Sequence, residues 1–415
     1  MNKPKTLSSC FSPFCSSLIT NTAMFTALVP TLAIASVGSL AIPAAESSRQ
    51  FIVRLFWFFV GTAFAISALC HPPNDSASLE ASLYICATVI TTVLRTAYEL
   101  FYKWSYKAPP QPGTSLYLRA AWAIDVVVSH GDSRPSNVAV KRRALRCDQA
   151  ENPTASQCET RTRFLLSRVA VLAGIVAVRH MEFESLLSHF GTSVAVPLDI
   201  RLSDLAPRTR KLLLRRLKYV SAREVSIRAW LVVFHNFYCA TAMIFAHCIL
   251  AIILVSVLGL YEPEEWPHLF GSPAEAYSVG RYWSRFWHQA PVPTYIAYAR
   301  LLADKALPFR RRGQGYRLWV VFFVFVCSAL QHAASLFIVG FRCGWWEQIY
   351  WWALNFAVVV AERVLSSAAQ FVLRYKIVQR PAWPVKILGY MWVFAFQFWS
   401  LPKVYFTTTV FCFPV

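Results

Sequence analysis

Charged residues are scarce in this sequence. Only 15% of its 415 residues are charged whereas 56% are hydrophobic, and several long apolar runs contain no charge at all. A soluble domain of this size interleaves charged and apolar residues at the period of a helix or a strand. The scarcity of charge therefore argues against an ordinary soluble domain, and it predicts an all-α, polytopic bundle of transmembrane helices.

Two further absences narrow the functional classes. The eleven cysteines form no CxxC pair and no Cys/His spacing suited to zinc, so we expect neither a disulfide framework nor a metal. Glycine is also scarce, with 14 residues, and the two halves of the chain lack the matching Gly or Pro breaks of an inverted-repeat transporter. A transporter whose intramembrane histidines line a path is nevertheless kept as the alternative to an enzyme.

Acidic residues are outnumbered, with 21 Asp and Glu against 41 Lys and Arg. The basic residues lie mainly between the apolar runs, which predicts that residues 103–163, 262–317 and 374–386 are cytosolic and that 71–80, without Lys or Arg, is lumenal. Such a basic face suits an anionic membrane surface or a phosphorylated cofactor, and we expect no nucleic acid. Residues 184–229 are also basic, although strict alternation of the spans would place them in the lumen. We therefore expect a neighbouring segment to be re-entrant or interfacial.

The apolar runs predict about eight spans. A polar tail occupies residues 1–23, and residues 24–415 form a single integral-membrane domain. The first run is either a cleaved signal peptide or, as we favour, a retained helix. The predicted spans are 24–45, 55–70, 81–102, 164–177, 230–261, 318–341, 348–373 and 387–412.

Two short motifs lie outside these runs. The stretch "RKLLLRRLK", residues 210–218, repeats basic and leucine residues at helical spacing. It is either an amphipathic helix in the membrane interface or an ordinary basic loop helix. Asn74-Asp75-Ser76 is a glycosylation sequon, although its closeness to the membrane would hinder modification.

One polar stripe lies within an apolar run. Ser328, His332 and Ser335 share a helix face because residues three and four apart are neighbours, and Gln331 lies alongside. A neutral imidazole can accept a proton from an alcohol near pH 7, as a general base must. The alternative for His332 is a packing histidine bonded to a neighbouring helix.

Other ionisable residues within the runs point less clearly to function. His235 and His247 are twelve residues apart, which places them about 120° apart around a helix. They share no face, and we interpret both as structural. Glu362 and Arg363 either face a polar interior or mark where their helix leaves the hydrocarbon.

The segment "YEPEEWPHLFGSPAEAYSVGRYWSRFWHQAP", residues 261–291, carries the most specific pattern. It resembles the signature of the wax synthase-like branch of the membrane-bound O-acyltransferases, in which "P-x-x-W-P-x-L-F-G-S" leads to "S-x-x-x-F-W-G-R-R-W-H-Q" and a mid-membrane histidine follows. His332 stands where that histidine is expected, so the signature region extends over 261–341. The signature itself is matched by Trp283, Arg285, Trp287, His288 and Gln289.

Two residues depart from this pattern. Ser284 replaces the usual glycine and Phe286 replaces the second arginine, so part of the positive charge expected near the cofactor is missing. Arg281, one helical turn before Arg285, can substitute for it. A catalytically inactive relative that acts as a scaffold is therefore a further alternative.

The resemblance implies transfer of an acyl group from acyl-CoA, with acetyl-CoA favoured, to a hydroxyl of a lipophilic alcohol. Fungal relatives commonly acetylate terpenoid or meroterpenoid hydroxyls in secondary metabolism, while others make wax esters from long-chain alcohols. The resemblance also implies a membrane of the endoplasmic reticulum, with the CoA site facing the cytosol.

The same resemblance assigns roles to particular residues. His332 is expected to be the general base, and His288 to orient the donor or to stabilise the oxyanion. The adenine of CoA is expected to stack on Trp283 or Trp287, although interfacial aromatic residues also serve as membrane anchors. The acyl-CoA site is expected to comprise Arg281, Trp283, Arg285, Trp287 and Gln289, with Arg310, Arg311 and Arg312 adding positive charge.

Overall fold

A computed structural model describes residues 48–70, 79–101, 123, 161–180, 222–259, 261, 263, 266, 268–308, 313–338, 344–373 and 383–409. This part of the chain is helical and contains no strand, which confirms the all-α prediction for these residues. Several predicted features lie outside the described residues. They are the tail and first span, the 210–218 segment, the sequon at Asn74 and the run Arg310 to Arg312.

The helices of the described part are numbered here in chain order. They are α1 (Ser48–Cys70), α2 (Leu79–Phe101), α3 (Arg161–His180), α4 (Ala222–Val257), α5 (Val279–Arg281, continued by Tyr282–Phe286), α6 (Val292–Ala306), α7 (Gln314–Ile338), α8 (Trp345–Leu373), α9 (Trp383–Ser400) and α10 (Pro402–Thr409).

Three of these helices are long and apolar enough to cross a membrane. They are α4, α7 and residues Trp345–Ala369 of α8. Large apolar side chains are exposed along them, among them Leu330 and Phe337 on α7 and Leu365 on α8, as is typical of surfaces that face lipid. The predicted number of about eight spans is only partly supported, because the other helices of the described part do not reach this length and hydropathy.

Helix α4 is 36 residues long, about 54 Å at 1.5 Å per residue, and so exceeds the hydrocarbon core. Two turns of π-helix interrupt it, at Phe234–Cys239 and Ile252–Val257. Each π-turn adds a residue to a turn and changes which side chains share a face. The helix ends at Val257, and Gly259, two residues further on, has a left-handed φ of 62° that suits a glycine.

Two segments differ from the predictions. The predicted span 387–412 is broken, because α9 ends at Ser400 and α10 begins at Pro402, a residue that lacks the N–H needed to continue α9. The predicted cytosolic loop 262–317 contains α6, whose buried face is made mainly of small residues such as Ala299 and Ala303. Its charged residues concealed that face in the hydropathy pattern.

The core positions the signature segment. Helices α7 and α8 pack along each other, α6 packs on α7 and α2, and α5 packs on α8. One buried cluster joins Tyr282 and Trp287 of the signature to Phe325 of α7 and to Trp351 and Trp352 of α8. The short signature helix is therefore part of the helical bundle's core.

Gly389 provides a test of this packing. A Cβ at this position would overlap the carbonyl oxygen of Tyr277, which lies just before α5. We expect Gly389→Ala to destabilise the protein by about 1–3 kcal/mol, the usual cost of overpacking. Thermal unfolding in detergent measures the effect.

Gly174→Ala is the matched control, because nothing lies within 4 Å of a Cβ built at Gly174 on α3. Alanine favours a helix over glycine by up to about 1 kcal/mol, so this variant should be neutral or more stable. Equal unfolding temperatures for the two variants would contradict the close approach of α9 to residue 277.

Candidate active site

Helix α5 begins with a carboxylate cap from another helix. Glu362 of α8 accepts hydrogen bonds from the backbone N–H groups of Val279 and Gly280, both over 2.8 Å. The indole N–H of Trp392 donates to the same carboxylate over 2.8 Å, and Ser278 accepts from the Arg281 N–H over 3.1 Å. Glu362, which is partly buried, therefore holds the start of the signature helix.

The end of α5 is held by Gln289. The last turn is π-helical, and the Trp287 N–H donates to the Tyr282 carbonyl over 2.8 Å. The side-chain amide of Gln289 donates to the carbonyls of Trp283 and Trp287 over 2.7 and 2.8 Å. In this structure Gln289 therefore closes the turn that carries the signature aromatic residues.

The backbone of the approach motif runs against this turn. The Gly271 N–H donates to the Phe286 carbonyl over 2.9 Å. A Cβ at residue 271 would overlap the carbonyl oxygen of Arg285. The glycine of "LFGS" is thus required by a close backbone contact, which joins the two halves of the signature.

The aromatic residues of α5 form a packed layer. The Trp283 ring lies 4.8 Å from Trp352 and 5.7 Å from Trp351, measured between ring centroids. Its indole N–H donates over 2.9 Å to Asn355, which is only 1% exposed. Trp287 is also buried. Both rings contact protein side chains in this structure, and their stacking on adenine stays a prediction.

His332 lies beside this layer. Its ring stacks on Trp352, with 5.3 Å between ring centroids and 27° between ring planes. The side chain is exposed, although the residues that share its helix face, including Phe325, Ser328, Ser335 and Leu336, are buried. The space that His332 contacts is therefore on the inner side of α7 and not on its lipid-facing side.

Gln331, next to His332, links three helices. Its amide donates to the Ala87 carbonyl over 2.6 Å and to the Thr91 hydroxyl over 2.9 Å, both on α2. Its carbonyl accepts a hydrogen bond from the buried Tyr295 hydroxyl on α6. The predicted polar stripe therefore divides into an accessible histidine and a structural glutamine.

His235, which we interpreted as structural, lies beside this site. His235 lies in the first π-turn of α4 and stacks on Trp287, with 4.8 Å between centroids and 6° between planes. It also contacts Trp351 and is close enough to His332 for an electrostatic interaction. Helical spacing could not reveal this placement, because a π-turn leaves no recognisable residue pattern.

Three buried polar atoms in this region make no hydrogen bond within the described part of the chain. They are Nε2 of His235, Nε1 of Trp352 and Oγ of Ser335. Trp352 stacks on His332, and Ser335 is one helical turn from it. Buried polar groups normally have partners, so this region suits a ligand that carries hydrogen-bonding groups.

His288 lies in contact with the other side chains of the signature. Its ring is 5.7 Å from Trp287 and 5.8 Å from Phe270, between centroids. Trp287 therefore contacts both His235 and His288. No group of three or more His, Cys, Asp or Glu side chains able to hold a metal occurs among the residues that the structure describes.

Arg281 and Arg285 lie one helical turn apart on α5. Arg281 pairs with Glu275, and its guanidinium lies 4.5 Å above the Tyr277 ring. Partial burial and the like charge of Arg285 lower the pKa of Arg281. Arg285 is exposed, and Lys386 of α9 is 5.6 Å from the same Tyr277 ring. Three cationic groups are thus gathered around Tyr277.

Residues 266–358 match the membrane bound O-acyl transferase family, which confirms the resemblance of the signature region. The matched segment runs from the approach motif into α8. It therefore contains α5, His288, His332 and Trp352, and it ends four residues before Glu362.

Several fungal proteins are similar to this chain. Acetyltransferase aurG of Calcarisporium arbuscula is 29% identical over 195 residues, 46% of this chain and 46% of that protein. Acetyltransferase sirH of Emericella nidulans is 28% identical over 166 residues, 40% of this chain and 35% of that protein. Acetyltransferase TRI7 of Fusarium sporotrichioides is 36% identical over 88 residues, 21% of this chain and 20% of that protein.

Each alignment covers less than half of the relative's length. No solved structure shows a significant similarity to this chain.

Glu362→Ala tests the cap of α5. Hydrogen bonds to charged groups contribute about 1.5–3 kcal/mol each, and two partly buried backbone N–H groups would lose their acceptor. We expect a lower unfolding temperature in detergent and faster protease cleavage within residues 271–290.

Arg363→Ala is the control for this variant, because Arg363 is the exposed neighbour of Glu362 on α8. It should change the unfolding temperature little. If both variants behaved like the unaltered protein, Glu362 would not be what holds the signature helix.

Proposed function

From its match to the membrane bound O-acyl transferase family, we propose that this chain is a membrane-embedded O-acyltransferase. It moves an acetyl group from acetyl-CoA to a hydroxyl of a lipophilic alcohol. The observation that carries the proposal is His332, an accessible imidazole on the inner side of a membrane helix, beside the aromatic residues of the matched signature.

The acyl group and the acceptor are inferred from the relatives. The similar fungal proteins are named acetyltransferases, which favours acetyl over a long acyl chain. A terpenoid or meroterpenoid alcohol is the proposed acceptor, because a bulky apolar alcohol partitions into the bilayer and enters the bundle from there. We place the enzyme in the endoplasmic reticulum membrane, as part of fungal secondary metabolism, with the CoA site facing the cytosol.

The proposed reaction is a direct transfer. His332 accepts the proton of the acceptor hydroxyl, and the alcohol oxygen forms a bond to the thioester carbonyl carbon. The tetrahedral intermediate then loses CoA by breaking the carbon–sulfur bond, and the sulfur takes the proton from the His332 imidazolium. His288 orients the donor or stabilises the oxyanion. A site closed to bulk water limits hydrolysis of the thioester.

The charge around Tyr277 supports a CoA donor. Arg281, Arg285 and Lys386 place three cationic groups near the start of α5, and CoA carries several phosphate charges. Trp283 and Trp287 pack beneath this region and shape the inner wall of the site. We therefore propose that the phosphates lie near Tyr277 and that the thioester points inward to His332.

His332→Ala tests the general base. We expect labelled acetyl-CoA to transfer label to a polycyclic terpenoid alcohol in microsomes that contain the protein. The variant should lose this activity by about 10²- to 10⁴-fold, the usual contribution of a general base. His247→Ala is the control, because His247 is a buried histidine of the same bundle that contacts Trp266 and not the aromatic residues around His332.

Long-chain fatty alcohols in the same panel separate the related activities. Transfer to these alcohols alone would indicate a wax-ester synthase. Transfer that persists without His332 would place the chemistry elsewhere. No transfer to any acceptor, with the protein folded in the membrane, would favour the transporter or the inactive scaffold.

Arg281→Ala tests the donor site. We expect KM for acetyl-CoA to rise about 5-fold, since an exposed charge pair contributes up to about 1 kcal/mol. The acetyl thioester of N-acetylcysteamine lacks the phosphates of CoA, so its KM should not change.

Arg300→Ala is the matched control, because Arg300 is an exposed arginine on α6, away from Tyr277. It should leave both KM values unchanged. An equal rise for the two donors in the Arg281 variant would assign Arg281 a structural role through its pair with Glu275.

A further inference from the structure

We propose that His235 is a catalytic residue of this site, whose Nε2–H donates a hydrogen bond to the carbonyl oxygen of the acyl donor as negative charge develops on it. The inference rests on the proposed function, since it concerns the same acyl transfer. It makes a residue of α4, outside the segment that matches the family, the group that stabilises the oxyanion. His288 then has the role of orienting the donor.

The first argument is position. His235 and His332 come from different helices, yet both border the same pair of indole rings, Trp351 and Trp352. The two histidines are also near enough for an electrostatic interaction. His235 itself lies in the π-turn at Phe234–Cys239.

The second argument is the state of the ring. His235 is only 9% exposed, and its Nδ1 lies 3.0 Å from the Tyr405 hydroxyl of α10. The Cys239 sulfur lies 3.7 Å from that hydroxyl, so its S–H can donate to the Tyr405 oxygen. With that arrangement the Tyr405 O–H donates to Nδ1, and we assign the tautomer accordingly: a neutral imidazole that accepts at Nδ1 carries its proton on Nε2.

The third argument is the second ring nitrogen of His235. Nε2 of His235 is buried and has no hydrogen-bond partner among the described residues. Within the imidazole ring, Nε2 points away from Tyr405, which contacts Nδ1. A buried N–H without an acceptor is costly, so this atom is suited to bind an acceptor that arrives with the substrate.

The proposed step is balanced. The acceptor oxygen bonds to the carbonyl carbon while its proton moves to His332, and the carbonyl electron pair moves to the oxygen. That oxyanion accepts the Nε2–H hydrogen bond of His235 without taking the proton. When the carbonyl re-forms, the carbon–sulfur bond breaks and the thiolate takes the proton from His332. A donor that is already in place for this charge stabilises the transition state more than the ground state.

The test compares His235→Leu with His235→Gln. Leucine removes the donor, and we expect kcat to fall about 10²- to 10³-fold, as for loss of one oxyanion donor. Glutamine can place an amide N–H near the former Nε2 position, so its kcat should stay within roughly 10-fold of the unaltered enzyme. KM for acetyl-CoA, and Kd for an analogue with CH2 in place of the thioester sulfur, should change less than about 3-fold in both variants.

Tyr405→Phe and His247→Leu complete the set. Tyr405→Phe removes the group that holds Nδ1, and we expect kcat to fall roughly 10-fold with donor binding unchanged, as for loss of about one hydrogen bond. His247→Leu removes a buried histidine from the same helix and should leave kcat unchanged. If the leucine variant of His235 does not fold, Tyr405→Phe carries the test, because it leaves the imidazole in place.

The outcomes separate this inference from the proposed function. Full activity in His235→Leu, or in Tyr405→Phe when that variant carries the test, overturns the inference and leaves the acyltransferase assignment intact. Equal losses in the leucine and glutamine variants, together with weaker analogue binding, overturn it in favour of a structural role. Absence of transfer by the unaltered protein overturns the proposed function, and the inference with it.

Discussion

Backbone hydrogen bonds inside the helical bundle are the constraint on which this site depends. A short or irregular segment packed among helices is shielded from water, so its N–H and C=O groups need protein partners. Helix α5 is such a segment, because Tyr282 and Trp287 are buried in the core. Ser278 and Glu362 bind the N–H groups at its start, and Gln289 binds carbonyls at its end. These side chains allow a non-spanning turn to lie within the helical bundle.

The aromatic residues of that turn gain their positions from this arrangement. A long α-helix would place Trp283 and Trp287 one turn apart on one face. The π-turn and the caps instead pack Trp283 against α8 and stack Trp287 on His235 of α4. One short segment thereby brings residues of α7 and α8 together with those of α4, which is far from them in the sequence.

Much of this could be predicted from the sequence. The long apolar runs indicated α4, α7 and α8, and the signature residues pointed to the segment that the structure places beside His332. These features are visible because hydropathy and residue identity are local properties. The assigned role of each site residue stays a prediction.

Other features could not be predicted, for physical reasons. The position of His235 beside Trp287 and Trp351 depends on contacts between residues far apart in the sequence. Helix α6 was hidden because its buried face consists largely of small residues and carries little hydropathy. The capping role of Glu362 depends on a contact across 83 residues with Val279, and a single sequence does not record such a pairing.

The contact of Gly271 with the turn of α5 has a consequence for how the signature tolerates change. The "LFGS" motif and the "RYWSRFWHQ" motif are joined through their backbones, between Gly271 and Phe286. Pro273 and Ala274, which follow the first motif, are exposed. Insertions or deletions there would alter a surface loop and leave the paired motifs in register. The spacing between the two motifs is therefore a poorer criterion for recognising relatives than the presence of both.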